Sequence, residues 1–219
     1  MKTALTVLIL FLMAFSLTAA DKIIINEIMY NSQGPDVEFI ELVNVSGSTI
    51  DLSGWTVLDD NDVHTPCQLQ GTLAANGYIV VVGDKAAFAA IYPDVTNINS
   101  NEYDPNGAGW SLGNGGDTVR LFENGAVHDS VAYNDGGSWP SNPDGGGPSL
   151  ELLHPSLDNN VPTSWDPSIN DGGTPGKQNS VYTTNVMPVC KNGSRDIALP
   201  KNSDQVVVTV LAYDQEGLA

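Results

Sequence analysis

The chain has 219 residues and a formal net charge of −18, from 8 Lys and Arg against 26 Asp and Glu. So acidic a surface repels phosphate backbones and anionic lipid headgroups, which are held by clustered Lys and Arg, and this argues against nucleic-acid and membrane-surface readings. Asp outnumbers Glu 19 to 7 and is joined by 20 Asn, 22 Gly and 13 Pro. These residues make turns, and with 41% of the chain apolar the composition predicts an ordered all-β fold with many loops.

Residues 1–20 read as a secretory signal. Lys2 supplies the positive start, Ala4 to Leu17 form an apolar run, and Thr18-Ala19-Ala20 offers small residues for cleavage before Asp21. Fourteen apolar residues fall short of the roughly 20 that a spanning helix needs. The expected mature chain is therefore exported and carries no membrane span. Without Lys2 its seven basic residues face 26 acidic ones, a net charge of −19. Export permits a disulfide, but the only two cysteines, Cys67 and Cys190, lie 123 residues apart and leave their pairing open.

Candidate strands follow in order at Lys22–Met29, Val37–Asn44, Trp55–Leu58, Cys67–Gly71, Tyr78–Val82, Thr118–Phe122, Val127–Tyr133 and Ser149–Leu153. Val37–Asn44 is apolar on both faces: Phe39 and Val43 share one with Glu41, Ile40 and Leu42 the other with Glu38. A central strand whose outer face is partly covered by a loop would read this way. One short helix is expected over Lys85–Tyr92, capped by Asp84 and stopped by Pro93. The long polar connection from Asn97 to Gly116 contains Trp110 and Leu112 as anchors. Asn124-Gly125 marks a hairpin turn.

The ordered set Ile-Ile-Ile-Asn-Glu-Ile-Met-Tyr (23–30), Val-Glu-Phe-Ile-Glu-Leu-Val-Asn (37–44) and Asp-Leu-Ser-Gly-Trp-Thr-Val-Leu-Asp (51–59) opens a longer series. It continues through Asn114 to Leu121, Asp129 to Tyr133, Trp139-Pro140, Asp144 to Leu152, Pro155 to Asn159, Ser164-Trp165 and Gly172 to Gly176. Taken together, these runs over about residues 22–180 resemble the exported bacterial type of lamin-tail domain. The resemblance implies an immunoglobulin-like β-sandwich acting as a binding or spacer module. The coiled-coil rod of nuclear lamins is missing, so nuclear roles do not carry over.

The expected organisation is a signal peptide at 1–20, a lamin-tail domain at 21–180, and a linker with the incomplete start of a second immunoglobulin-like domain at 181–219. Val206–Ala212 is the strand of that last segment. Because bacterial lamin-tail domains often accompany nucleases and phosphoesterases, the alternative is an accessory part of a secreted hydrolase whose catalytic domain lies beyond residue 219.

No residue is expected to be catalytic. The chain has no Gly-X-Ser-X-Gly elbow, and His64, His128 and His154 follow no metal-binding spacing. Glu27, Glu38, Glu41 and Glu151 sit on strands and could converge as paired carboxylates. The competing structural reading has them accepting bonds from loop amides or from Arg120 to pin strand ends, and it is preferred because buried charges persist when paired. No cofactor is expected; calcium has weak candidates in Asp59, Asp60, Asp62, Asp104 and Asn106, hard oxygen donors that Asx turns also explain. Trp110 and Trp165 fall in loops, where an exposed ring would suit a sugar, although packing is the expected role of all four tryptophans. The expected partner is a protein or a cell-surface polysaccharide.

Overall fold

The computed structural model describes residues 23–186 and, beyond them, the backbone of strands Val189–Arg195 and Val208–Tyr213. The leader at 1–20, Asp21, Lys22 and Val206-Val207 lie outside the described residues. The elements run β1 (Ile23–Met29), β2 (Phe39–Asn44), β3 (Ile50–Asp51), β4 (Trp55–Leu58), β5 (Cys67–Gln68), β6 (Thr72–Leu73), β7 (Tyr78–Val82), α1 (Lys85–Ile91), β8 (Gly116–Glu123), β9 (Ala126–Asn134), β10 (Leu150–Leu152) and β11 (Trp165–Pro167). Strands β12 (Val189–Arg195) and β13 (Val208–Tyr213) form a separate antiparallel pair. No helix among the described residues is long and apolar enough to cross a membrane.

Two antiparallel sheets make the sandwich. One has the order β11-β10-β1-β2-β7 and the other β5-β4-β8-β9, with β3 and β6 pairing separately. Ile25, Ile28, Ile40, Leu42, Leu150 and Leu152 of the first pack against Trp55, Val57, Val119, Leu121 and Val131 of the second in one continuous core. Trp55 is 2% exposed, the core position its place after Gly54 predicts. The all-β, immunoglobulin-like expectation stands, with one short helix in a connection.

Strand β2 is buried at every position. Its inner residues Ile40 and Leu42 join the main core, while Phe39 on the outer face joins a second cluster with Met29, Val80, Val82 and Phe88. Helix α1 covers that end of the outer face, its first turn capped by the Asp84 carboxylate, which accepts from Ala87 N at 2.9 Å. Positive φ at Asn124 and Gly125 makes the tight β8–β9 turn. The 97–116 connection is pinned as expected: Trp110 stacks on Tyr103 at 4.3 Å and its Nε1 donates to Thr65 O at 3.0 Å.

Three differences have physical causes. The expected strand Cys67–Gly71 is cut at Gln68 because Gly71 turns with φ +86, and Thr72-Leu73 then pairs with β3. Trp165 is no loop residue: it begins β11, is 2% exposed, and its Nε1 donates to Asn159 O at 2.8 Å. The strand expected at Val206–Ala212 is described over Val208–Tyr213, where β12 pairs with it from Val189↔Tyr213 to Arg195↔Val208.

Candidate functional site

The outer face of the five-stranded sheet carries three glutamates in one row. A bulge at Asn26 shifts the β1–β2 register so that Glu27 lies opposite Glu41 on one side and Glu151 of β10 on the other. All three are buried. Glu38, just before β2, stands apart; its Oε2 accepts from Leu112 N at 2.8 Å in the 97–116 connection.

Residues 173–183 cross over this row as a strap whose donors face the carboxylates. Thr174 N donates to Glu27 Oε1 at 2.8 Å, and its hydroxyl to Glu151 Oε1 at 2.7 Å. Gly176 N donates to Glu41 Oε2 at 2.5 Å. Ser180 Oγ and Val181 N both donate to Glu151 Oε2, at 2.8 and 3.0 Å. From within the sheet, Ser149 Oγ donates to Glu27 and Asn26 Nδ2 to Glu41. Asn179 ties the strap to the backbone through Asn26 O at 2.9 Å and Leu152 O at 2.8 Å. The last of these ties is Thr183 N to Leu153 O at 3.0 Å. The first residues of the segment expected as a linker from 181 are therefore bonded to the sandwich, through Val181 and Thr183.

Burial pushes the Glu27 carboxyl up to about 8, the Ser149 hydroxyl opposing it and the Glu151 charge adding to it. Burial, then the charge of Glu27, also raises Glu41 well above the usual carboxylate range. Glu38 is pushed up to about 8 by burial, its bond from Leu112 opposing. Glu27 Oε2 is buried with no hydrogen-bond partner, which fits a neutral carboxyl better than an ion. The preferred reading of the glutamates holds in its main part: loop amides take them. Arg120 does not; its guanidinium bonds Asp59 O and Asp62 instead.

The calcium candidates fall into two loops. Asp59 accepts from Asn61 N at 3.2 Å and pairs with His64 Nδ1 at 2.7 Å, and Asp62 pairs with Arg120 at 2.7 Å. Asp60 is exposed beside them. Asp104 accepts from Gly109 N at 2.7 Å in the other loop, where Asn106 N donates to Asp84 at 3.1 Å. Among the described residues, no group of three or more His, Cys, Asp or Glu is placed to hold a metal ion. Cys67 is a free, buried thiol, pushed up to about 11 by burial. Trp110 is 4% exposed, so neither it nor Trp165 offers a face to a sugar.

Beyond the strap, at the end of the outer face away from α1, lies a cavity of about 830 Å³. Its floor is the registered trio Ile24, Val43 and Tyr78, and its wall includes His154, Asn160 and Tyr182. Sequence reasoning missed it because its residues come from β1, β2, β7, β9, the 154–160 loop and the strap, which no local pattern joins.

The lamin tail domain family model matches residues 16–135. Comparisons with curated proteins and with solved structures give no match. The matched segment ends with β9, while β10, β11 and the strap complete the sheet it begins. With more than half its length matched and a two-sheet antiparallel sandwich behind the match, the chain belongs to the lamin tail domain family.

Proposed function

We propose that this chain works as a non-catalytic binding or spacer module of an exported protein, engaging a protein or a cell-surface polysaccharide. The observation that carries the reading is the roof over Glu27, Glu41 and Glu151: strap amides and hydroxyls occupy the row of strand carboxylates named as candidates for a hydrolytic pair. A glycosidase needs its two carboxyls across an open cleft. The family assignment favours the same conclusion. Export is supported by the leader pattern of residues 1–20, and the reading needs no cofactor. On this reading β12 and β13 open a second module.

The test is turnover by the purified chain on nucleic acids, phosphoesters, peptides and glycans. None is expected. Activity that survives purification and disappears in Glu27→Gln or Glu151→Gln would overturn the proposal.

A further inference from the structure

We infer that the cavity beside Tyr182 is a binding site for a neutral oligosaccharide. The inference rests on the reading of the chain as a binding module and names the ligand class of one site on it. At about 830 Å³ the cavity is within the size of small-ligand sites, roughly 300–1,000 Å³. Tyr182 is 37% exposed, yet it is fixed in place: its hydroxyl bonds His154 Nε2 at 3.1 Å and the two rings lie 5.0 Å apart. A fixed, half-open aromatic ring suits the apolar C–H face of a sugar, which combines an apolar body with a polar edge as tyrosine does.

The polar groups of the lining select against charge. No Lys or Arg lines the cavity, so nothing there would hold a sulfate, phosphate or uronate. Of its two acids, Asp129 is bonded at both carboxylate oxygens and the exposed Asp158 at Oδ1. Asp129 Oδ2 accepts from Ile25 N and Asn159 Nδ2, both at 2.8 Å, and Oδ1 from Ser130 N at 2.9 Å; Asp158 Oδ1 accepts from Asn160 N at 3.1 Å. Burial lowers His154 from its ordinary value, which favours the neutral imidazole over the cation. The exposed amides of Asn76, Asn160 and Gln178 are available to bond a ligand. Amides both donate and accept, which matches the hydroxyls of a neutral sugar and not a cationic chain.

The experiment is titration calorimetry of the full chain with neutral hexasaccharides of glucose, mannose, galactose, xylose and N-acetylglucosamine. Oligogalacturonate and hexalysine serve as charged comparators. Saturable binding to at least one neutral member is expected, weakened tenfold or more by Tyr182→Ala. It should also weaken in the Asn160→Ala and Gln178→Ala double variant, whose thermal midpoint should match the parent because both side chains are exposed. Failure of every neutral member at millimolar concentration overturns the inference, as does undiminished binding in the double variant or preference for a charged comparator. Binding accompanied by hydrolysis would support the site while overturning the non-catalytic reading, so the two failures are distinguishable.

Discussion

Glu27 and Glu151 face each other in register across β1 and β10, and one residue of the strap bonds both, Thr174 giving its main-chain N–H to the first and its hydroxyl to the second. Two carboxylates from strands 124 residues apart are thereby joined through a loop that neither strand precedes or follows directly. The arrangement explains how an outer sheet face can bury acids: the strap replaces water as their donor.

The close fit of the strap makes Gly173 critical. Its φ is +73, and an added Cβ would collide with Glu27 Oε1 and Ser149 Oγ. Gly137 has nearly the same φ, +71, but open space around it. Alanine at either position carries the left-handed backbone cost of about 1–2 kcal/mol. Gly173→Ala should lose clearly more stability than Gly137→Ala in urea unfolding; equal losses would show that the strap yields to the clash.

Stability should fall between acid and alkaline pH. Glu27 has an ordinary value of 4.5 and a folded value of about 8, so the folded chain holds this proton more tightly. Its contribution is fully present below pH 4.5 and is lost as pH rises toward 8. Glu38 acts in the same window, and Glu41 shifts with the same sign. Asp51 and Asp84, held below their ordinary value of 3.8 by hydrogen bonds, work oppositely and only at lower pH. The thermal midpoint should be higher at pH 5 than at pH 9, and Glu27→Gln should flatten this slope and exceed the parent at pH 9. A parent midpoint that rises over the same range would contradict the assignment.

Core and surface should separate cleanly. Trp55→Ala removes a ring that is 2% exposed at the centre of the sandwich, a change that typically costs about 3–5 kcal/mol. Val63, 87% exposed in the 59–64 loop, should tolerate alanine within about 0.5 kcal/mol. Comparable losses from both would mean that the loop is packed in solution.

Much of the sandwich was legible because strands with a buried face announce themselves. The two-sided apolar pattern of Val37–Asn44 told of a covered central strand, and the burial of β2 on both faces bears it out. The two-residue ladders β3–β6 were not legible, since Ile50-Asp51 and Thr72-Leu73 carry no alternation and are extended only because they meet each other. The glutamates could be named from the sequence as candidates, but their row depends on a bulge at Asn26 and on register between distant strands. The strap's role was hidden by its composition: Gly172 to Gly176 could be named as part of the domain, but Gly, Pro, Asn and Ser carry no periodicity that shows which acids they cover, and their small side chains and free N–H groups are what fits above them.

Limited proteolysis tests the strap directly. Lys177 is exposed, so its side chain is available to trypsin. Cleavage, however, requires the backbone around it to leave the sheet, and Gly176 and Asn179 on either side are bonded to Glu41, Asn26 and Leu152. The Lys177–Gln178 bond should therefore resist trypsin in the native chain, with any early cutting falling outside the strap. Asn179→Ala removes both donor bonds and leaves two buried carbonyls short of partners, each costing about 1–3 kcal/mol. That variant should be cut after Lys177 at least tenfold faster than the parent while the intrinsic tryptophan fluorescence of the chain remains native. Rapid cutting of the parent at Lys177 would mean that the strap opens freely and that its bonds to the three glutamates contribute little.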